Sequence, residues 1–157
     1  MLAAVPVAAL ASVLHSVDSP RWSDRYDSHF RKYAKRYFGP NFDWRWFKAQ
    51  GIAESGLDPD AESPKAARGV MQILPSTFAE IREMNPHFID IDSPRWNIAA
   101  GIYYNRYLYR RWQEKLPKDE RINFTFASYN AGYGTISKAH RRAAQKGLPA
   151  HRWEQVE

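Results

Sequence analysis

Apolar side chains in this chain recur at intervals of three, four or seven residues, in runs cut by glycine and proline, and no period-two alternation persists between hairpin turns. That pattern restricts the fold to short helices packed against one another. From Ser23 or Asp24 as N-cap, Tyr26, Phe30, Ala34 and Tyr37 keep helical spacing until Gly39-Pro40 stops them. A helix capped by Asp43 ends near Ser55-Gly56, where glycine supplies the left-handed stop. Pro75 opens a third helix, with Phe78 and Ile81 on one side, that lasts to Asn85-Pro86. Ser93 and Pro94 begin a long pattern of Ile98, Ile102, Tyr109, Trp112 and Leu116 that ends before Pro117. Ile122, Phe126 and Tyr129 mark another helix from Asp119; Gly132 and Gly134 then break the chain before Thr135 caps a last one running to Gly147. No solenoid-length repeat appears, and the expected fold class is mainly α, a single helical domain.

At 157 residues, with 44% hydrophobic and 15% aromatic residues, the chain has the size of one domain and enough apolar side chains for a core. Its six Trp, nine Tyr and eight Phe either line a groove or sit half-buried as amphipathic rings. A formal charge of +6 favours an anionic partner: nucleic acid, an anionic cell wall or a membrane surface. The lack of cysteine excludes disulfides, thiol nucleophiles and Cys-based zinc sites. Residues 1–14 form an apolar run of signal-peptide length, too short to span a bilayer, with no Lys or Arg ahead of it. Residues 1–20 are therefore expected to be an N-terminal segment, either an export signal or anchor, the preferred reading, or an amphipathic helix docked on the domain, and residues 21–157 the functional domain.

Chemistry concentrates in residues 51–72, GIAESGLDPDAESPKAARGVMQ, which read as a helix end, a turn-rich loop and the start of a second helix. On a helix from Asp43, Glu54 shares a face with Phe47 and with Gln50 or Gly51, so a core-facing Phe47 turns Glu54 toward a semi-buried side. Desolvation raises a carboxyl's pKa, which suits a general acid near neutral pH; a solvated charge at a helix end is the plainer reading. Gly69-Val70-Met71-Gln72 combines a free backbone, a soft apolar side chain and an amide, properties of a sugar or peptide groove and also of ordinary helix starts. In ASYNAGYG, residues 127–134, Tyr129 is suited to orienting a carboxyl and Asn130 to bonding an N-acetyl amide, or else the two pack and cap a helix end.

Glu54-Ser55, then Gly69-Val70-Met71-Gln72, then Asn97-Ile98 with Gly101 and Tyr104, then Tyr129-Asn130-Ala131-Gly132, resemble in their order the motifs of the soluble-type (SLT) lytic transglycosylases of bacterial cell walls. The likeness runs from about Tyr26 to Arg142 and is strongest toward the family's membrane-bound members, whose additional solute-binding domain is not expected within these 157 residues. It implies a lysozyme-like helical fold with a substrate groove and cleavage of the β-1,4 bond between N-acetylmuramic acid and N-acetylglucosamine. It further implies Glu54 as the single acid and base, Ser55 and Tyr129 as orienting residues, and Met71, Gln72, Tyr104 and Asn130 along the sugar groove. Val70 stands where leucine is usual and Ser128 where alanine is usual; neither departure removes a polar group the chemistry needs.

A glycosidase of the common type needs a second carboxylate roughly 5 to 9.5 Å from the first. Asp58, Asp60 and Glu62 are the nearest in sequence, and as loop residues they are expected to be solvated. Without one, the substrate's N-acetyl group can support the anomeric centre and the muramyl C6 hydroxyl can close a 1,6-anhydro ring. No metal or organic cofactor is expected; His29, His87 and His140 read as surface or helix-end residues. The expected partner is peptidoglycan glycan strands, with the protein exported to the periplasm or cell envelope as a monomer, or carried by a phage or a secretion machine as the alternative, and membrane association left to the apolar N-terminus. A hydrolytic lysozyme on the same fold and a non-catalytic wall-binding module stay open as alternatives. A nucleic-acid partner is not expected, because the basic residues are spread along the chain and do not gather on one recognition helix.

Overall fold

The computed structural model describes residues 16–156, in which all the regular structure is helical: six α-helices and a closing 3₁₀ turn. They are α1 (Asp27–Phe38), α2 (Arg45–Ser55), α3 (Pro75–Met84), α4 (Pro94–Arg111), α5 (Arg121–Ala131) and α6 (Tyr133–Gln145), followed by Trp153–Gln155. The mainly α class expected from the periodicity is borne out. The apolar run at residues 1–14 and its expected role in export lie outside the described residues. Among the described residues no helix is long and apolar enough to cross a membrane. The chain divides into two compact units, with the boundary between Tyr104 and Asn105, inside α4.

In the first unit each helix start has a local cause. The Asp43 carboxylate accepts a hydrogen bond from the Arg45 N–H at 3.0 Å, as an N-capping acid does, and Pro75 and Pro94 occupy first helical positions. α1 starts three residues after Asp24, because Ser23 and Asp24 spend their acceptors on local turns to Arg25 and Asp27. The apolar stripes meet in a core that holds Phe30, Phe47, Ile81, Phe88, Ile98 and Ile102. Gly51 lets α2 approach its neighbours: a Cβ there would stand 3.2 Å from Phe30, Leu57 and Val70 side chains. Lys48, 2% exposed on the same helix, places its ammonium 2.7 Å from the Asp27 carboxylate, tying α2 to the start of α1. Sequence reasoning passed over this pair; its only local sign is a lysine inside the run Phe47–Ile52, every member of which is buried.

Residues 69–72 are the main departure from expectation. They do not begin a helix; they form a tight turn closed by paired backbone hydrogen bonds between Arg68 and Ile73, both 3.0 Å. The side chain of Asn97, 1% exposed on the first turn of α4, anchors this turn. Its carbonyl accepts from the Met71 N–H at 2.8 Å, and its amide nitrogen donates to the carbonyls of Arg68 and Ile91, each at 2.9 Å. Gly69, at φ +73°, leaves the room: a Cβ there would fall 2.6 Å from the Asn97 amide nitrogen. One turn along α4, Gly101 does the same for Met71, whose Cβ would otherwise be met at 2.8 Å.

The second unit is built on Trp112, Leu116, Phe124, Ala127 and Ile136, with Tyr133, Trp153 and Val156 against them. α4 ends at Arg111, earlier than its apolar pattern, as the N–H groups of Trp112 and Gln113 tighten onto carbonyls three residues back and Trp112 enters this core. The Trp112 indole N–H donates to the Ser128 hydroxyl at 3.0 Å in a buried position, a partner alanine could not supply. Gly132, at φ +86°, alone separates α5 from α6, so the last helix begins at Tyr133 and takes in Gly134 and Thr135. His140, read from sequence as a surface or helix-end residue, is half-buried, edge-on to Trp112 and Phe124 at 5.6 and 5.9 Å.

Replacing Asn97 by alanine removes three hydrogen bonds and strands the buried Met71 N–H. The expected loss of unfolding free energy in urea is about 2–4 kcal/mol. A loss under about 0.5 kcal/mol, the scale of a neutral surface change, would show that Asn97 does not hold the turn.

Candidate functional site

Glu54 stands in the last turn of α2, where the helix is stopped by Gly56 at φ +65° and then Leu57 at φ +67°. Two successive left-handed residues turn the chain sharply away and leave the helix end facing the 69–72 turn. The link is direct: the Ser55 hydroxyl donates to the Val70 carbonyl at 2.9 Å, with the Gly51 carbonyl also near at 3.2 Å. The Glu54 side chain is half-buried. Its face behaves as the spacing predicts, with Phe47, Gln50 and Gly51 buried behind it. Burial pushes the Glu54 carboxyl from its ordinary 4.5 up to about 7. At neutral pH the group is therefore divided between its acid and its carboxylate, the condition in which one residue can both give and take a proton.

The other expected site residues divide by unit. Ser55, Met71, Gln72 and Tyr104 belong with Glu54 in the first unit. Met71 is fully buried and packs on Gly101, so its side chain shapes the turn from behind and offers no exposed surface to a groove. Gln72, at φ +47°, turns its amide nitrogen back onto the carbonyls of Ala61 and Gly69, both at 3.0 Å, and so braces the loop against the turn. Tyr104 is half-buried and lies on the α4 face that carries Asn97 and Gly101, at spacings of four and three. Tyr129 and Asn130 belong to the second unit, on the last turn of α5 before Gly132, half-buried and exposed respectively.

Asp58, Asp60 and Glu62 are all exposed, and the Asp58 carboxylate accepts from the Asp60 N–H at 2.9 Å in a local turn. Asn97 is the positioning residue that the site assignments from sequence left out, although it stood in one of the motifs. Its signal was an amide at the start of a helix whose next residues are apolar, Ile98 to Ala100.

A carboxyl whose folded-state pKa exceeds its unfolded value binds more protons when folded, so its contribution to stability is complete below about pH 4.5 and is lost as the pH rises through about 7. Glu54→Gln keeps the shape and removes the charge. The variant is expected to match the wild type at pH 4 and to exceed its unfolding free energy at pH 8 by up to about 3 kcal/mol. Denaturant titrations at the two pH values measure this, and an equal difference at both would refute the burial of the carboxylate.

Residues 28–150 match the family described as the transglycosylase SLT domain. Similar proteins include three named membrane-bound lytic murein transglycosylase F. The one from Shewanella woodyi is 30% identical over 142 residues, covering 89% of this chain and 28% of that protein. The one from Marinobacter nauticus is 34% identical over 132 residues, 84% of this chain and 25% of the relative. The one from Vibrio vulnificus is 31% identical over 142 residues, 89% and 26%. The chain thus spans about a quarter of the length of these relatives. The family resemblance read from the ordered motifs is borne out, and the chain belongs to the transglycosylase SLT domain family.

Proposed function

We propose that this chain is a peptidoglycan lytic transglycosylase that cleaves the β-1,4 bond between N-acetylmuramic acid and N-acetylglucosamine and leaves 1,6-anhydromuramic ends. The observation that carries the reading is the half-buried Glu54, its carboxyl raised to about 7, at a helix end tied by Ser55 to the 69–72 turn. Family membership and relatives named lytic murein transglycosylases support the same chemistry.

In the proposed reaction the protonated Glu54 gives its proton to the bridging oxygen as the bond to the anomeric carbon breaks, and N-acetylglucosamine leaves with a free hydroxyl. The substrate's N-acetyl carbonyl stabilises the electron-poor anomeric carbon. The Glu54 carboxylate then takes the proton of the muramyl C6 hydroxyl as that oxygen closes the anhydro ring, which restores the acid. No water is consumed. Ser55 orients the helix end, while Tyr104, Tyr129, Gln72 and Asn130 are proposed to contact sugar. Met71 is proposed to act by shaping the turn beneath it. Residues 21–157 are the proposed catalytic domain, acting on glycan strands in the cell envelope, to which the charge of +6 would draw it.

Mass spectrometry of products from purified peptidoglycan tests the reaction. Anhydro-muramyl ends, lighter by one water than reducing ends and absent with Glu54→Gln, are expected. Reducing muramyl ends would make the enzyme a hydrolase, and no cleavage by folded wild type would make it a binding module. The acid form must be present to start the reaction, so kcat/KM is expected to fall about tenfold per pH unit above roughly pH 7. A rate still level at pH 9 would exclude Glu54 as the proton donor.

A further inference from the structure

Away from the 69–72 turn, the first unit holds a cavity of about 490 Å³ between α1, the segment after α3 and the start of α4, a volume typical of small-ligand sites. Tyr33, Tyr37, Phe88 and Trp96 wall it. Behind them Tyr103 links the rings, its centroid 5.3 Å from both Tyr37 and Phe88, and Phe88 meets Trp96 edge-on at 6.0 Å. A wall of packed rings resists collapse: Tyr33 and Phe88 are buried in it, and the half-buried Tyr37 and Trp96 present the apolar surface. At the rim Ile89 is 67% exposed, an apolar side chain left in water.

The charges around these rings have one sign. Lys32, Arg36 and Arg95 line the cavity and no Asp or Glu does. Among the described residues none of the three takes part in an ion pair. They are held by rings instead. Arg95 donates from Nε to the Tyr33 hydroxyl at 2.9 Å and lies over Trp96 at 4.8 Å, while Lys32 and Arg36 lie over Tyr33 and Tyr37 at 5.6 and 5.9 Å. Those contacts orient the cations without neutralising them, and leave the guanidinium's terminal N–H groups for a ligand. The nearby His29 is held below its ordinary pKa first by burial and then by the charges of Arg95 and Lys32.

We propose that this cavity is a second binding site, for the free carboxylate of a short apolar peptide. A guanidinium fork matches a carboxylate in shape and charge, the rings and Ile89 receive aliphatic carbon, and a monoanion loses less hydration against aromatic walls than a phosphate dianion does. Neither Glu54 nor any other residue given a part in the proposed reaction lines this cavity. The inference therefore stands apart from the proposed activity.

The test is an NMR titration of the full chain with N-acetyl-alanyl-alanine, its C-terminal amide and inorganic phosphate, read at the Trp96 indole and Arg95 side-chain N–H signals. Saturable shifts with the acid, and binding about tenfold weaker for the amide, are expected. Arg95→Gln should weaken the acid's binding by a similar factor, and Lys32→Gln, at an exposed position, tests the charge without touching the bond to Tyr33. Glu54→Gln should bind the acid unchanged. The proposal is overturned if acid and amide bind alike, if phosphate binds as well as the acid, if both charge variants bind as wild type, or if no saturable shift occurs. Each of those results leaves the product assay untouched.

Discussion

One buried amide, that of Asn97, decides how the first unit presents its chemistry. A tight turn between two helices leaves backbone groups pointing inward, and a buried N–H or carbonyl without a partner costs as much as a lost hydrogen bond or more. Asparagine carries both a donor and an acceptor on one short side chain, so it serves the Met71 N–H and the Arg68 and Ile91 carbonyls together. Aspartate lacks the donor and leucine lacks both. The glycines at 69 and 101 follow from that choice, since one leaves space for the amide and the other for Met71. Once the turn is held, Ser55 fastens α2 to it, and Glu54 takes its surroundings from that junction.

Helix α2 carries two ionisable groups drawn out of water, Lys48 fully and Glu54 in part, and they are settled in opposite ways. Lys48 meets the Asp27 carboxylate and remains inside as one half of an ion pair. Glu54 is shielded from water, and the protein answers by raising its pKa. The first arrangement fastens helices together. The second stores an unfavourable carboxylate at the position best suited to proton transfer, which is the usual relation between a working acid and the fold that carries it.

Much of the helical framework was legible from the chain. Local spacing, Pro75, Pro94, Gly56 and Gly132 mark helix starts and stops because steric and capping preferences act within a few residues. The misjudged ends have tertiary causes. α4 stops short because Trp112 turns into the second unit's core and finds its polar partner in Ser128, whose hydroxyl accepts the indole N–H. Residues 69–72 were read as a helix start because their composition allows it; the paired bonds between Arg68 and Ile73 and the grip of Asn97 decide otherwise.

By itself the sequence determined the mainly α class, the order of the helices and, through ordered motifs from Glu54 to Gly132, the family. Those features depend on local periodicity and on residue identity. Only the tertiary structure decided that Met71 faces inward, that Gln72 bonds backbone carbonyls, that Lys48 is paired and that Glu54 is desolvated. Each of these depends on what approaches from elsewhere in the chain, and Asn97 reaches back 26 residues to Met71 and 29 to Arg68. Burial and hydrogen-bond partnership are properties of such encounters, and no local pattern contains them.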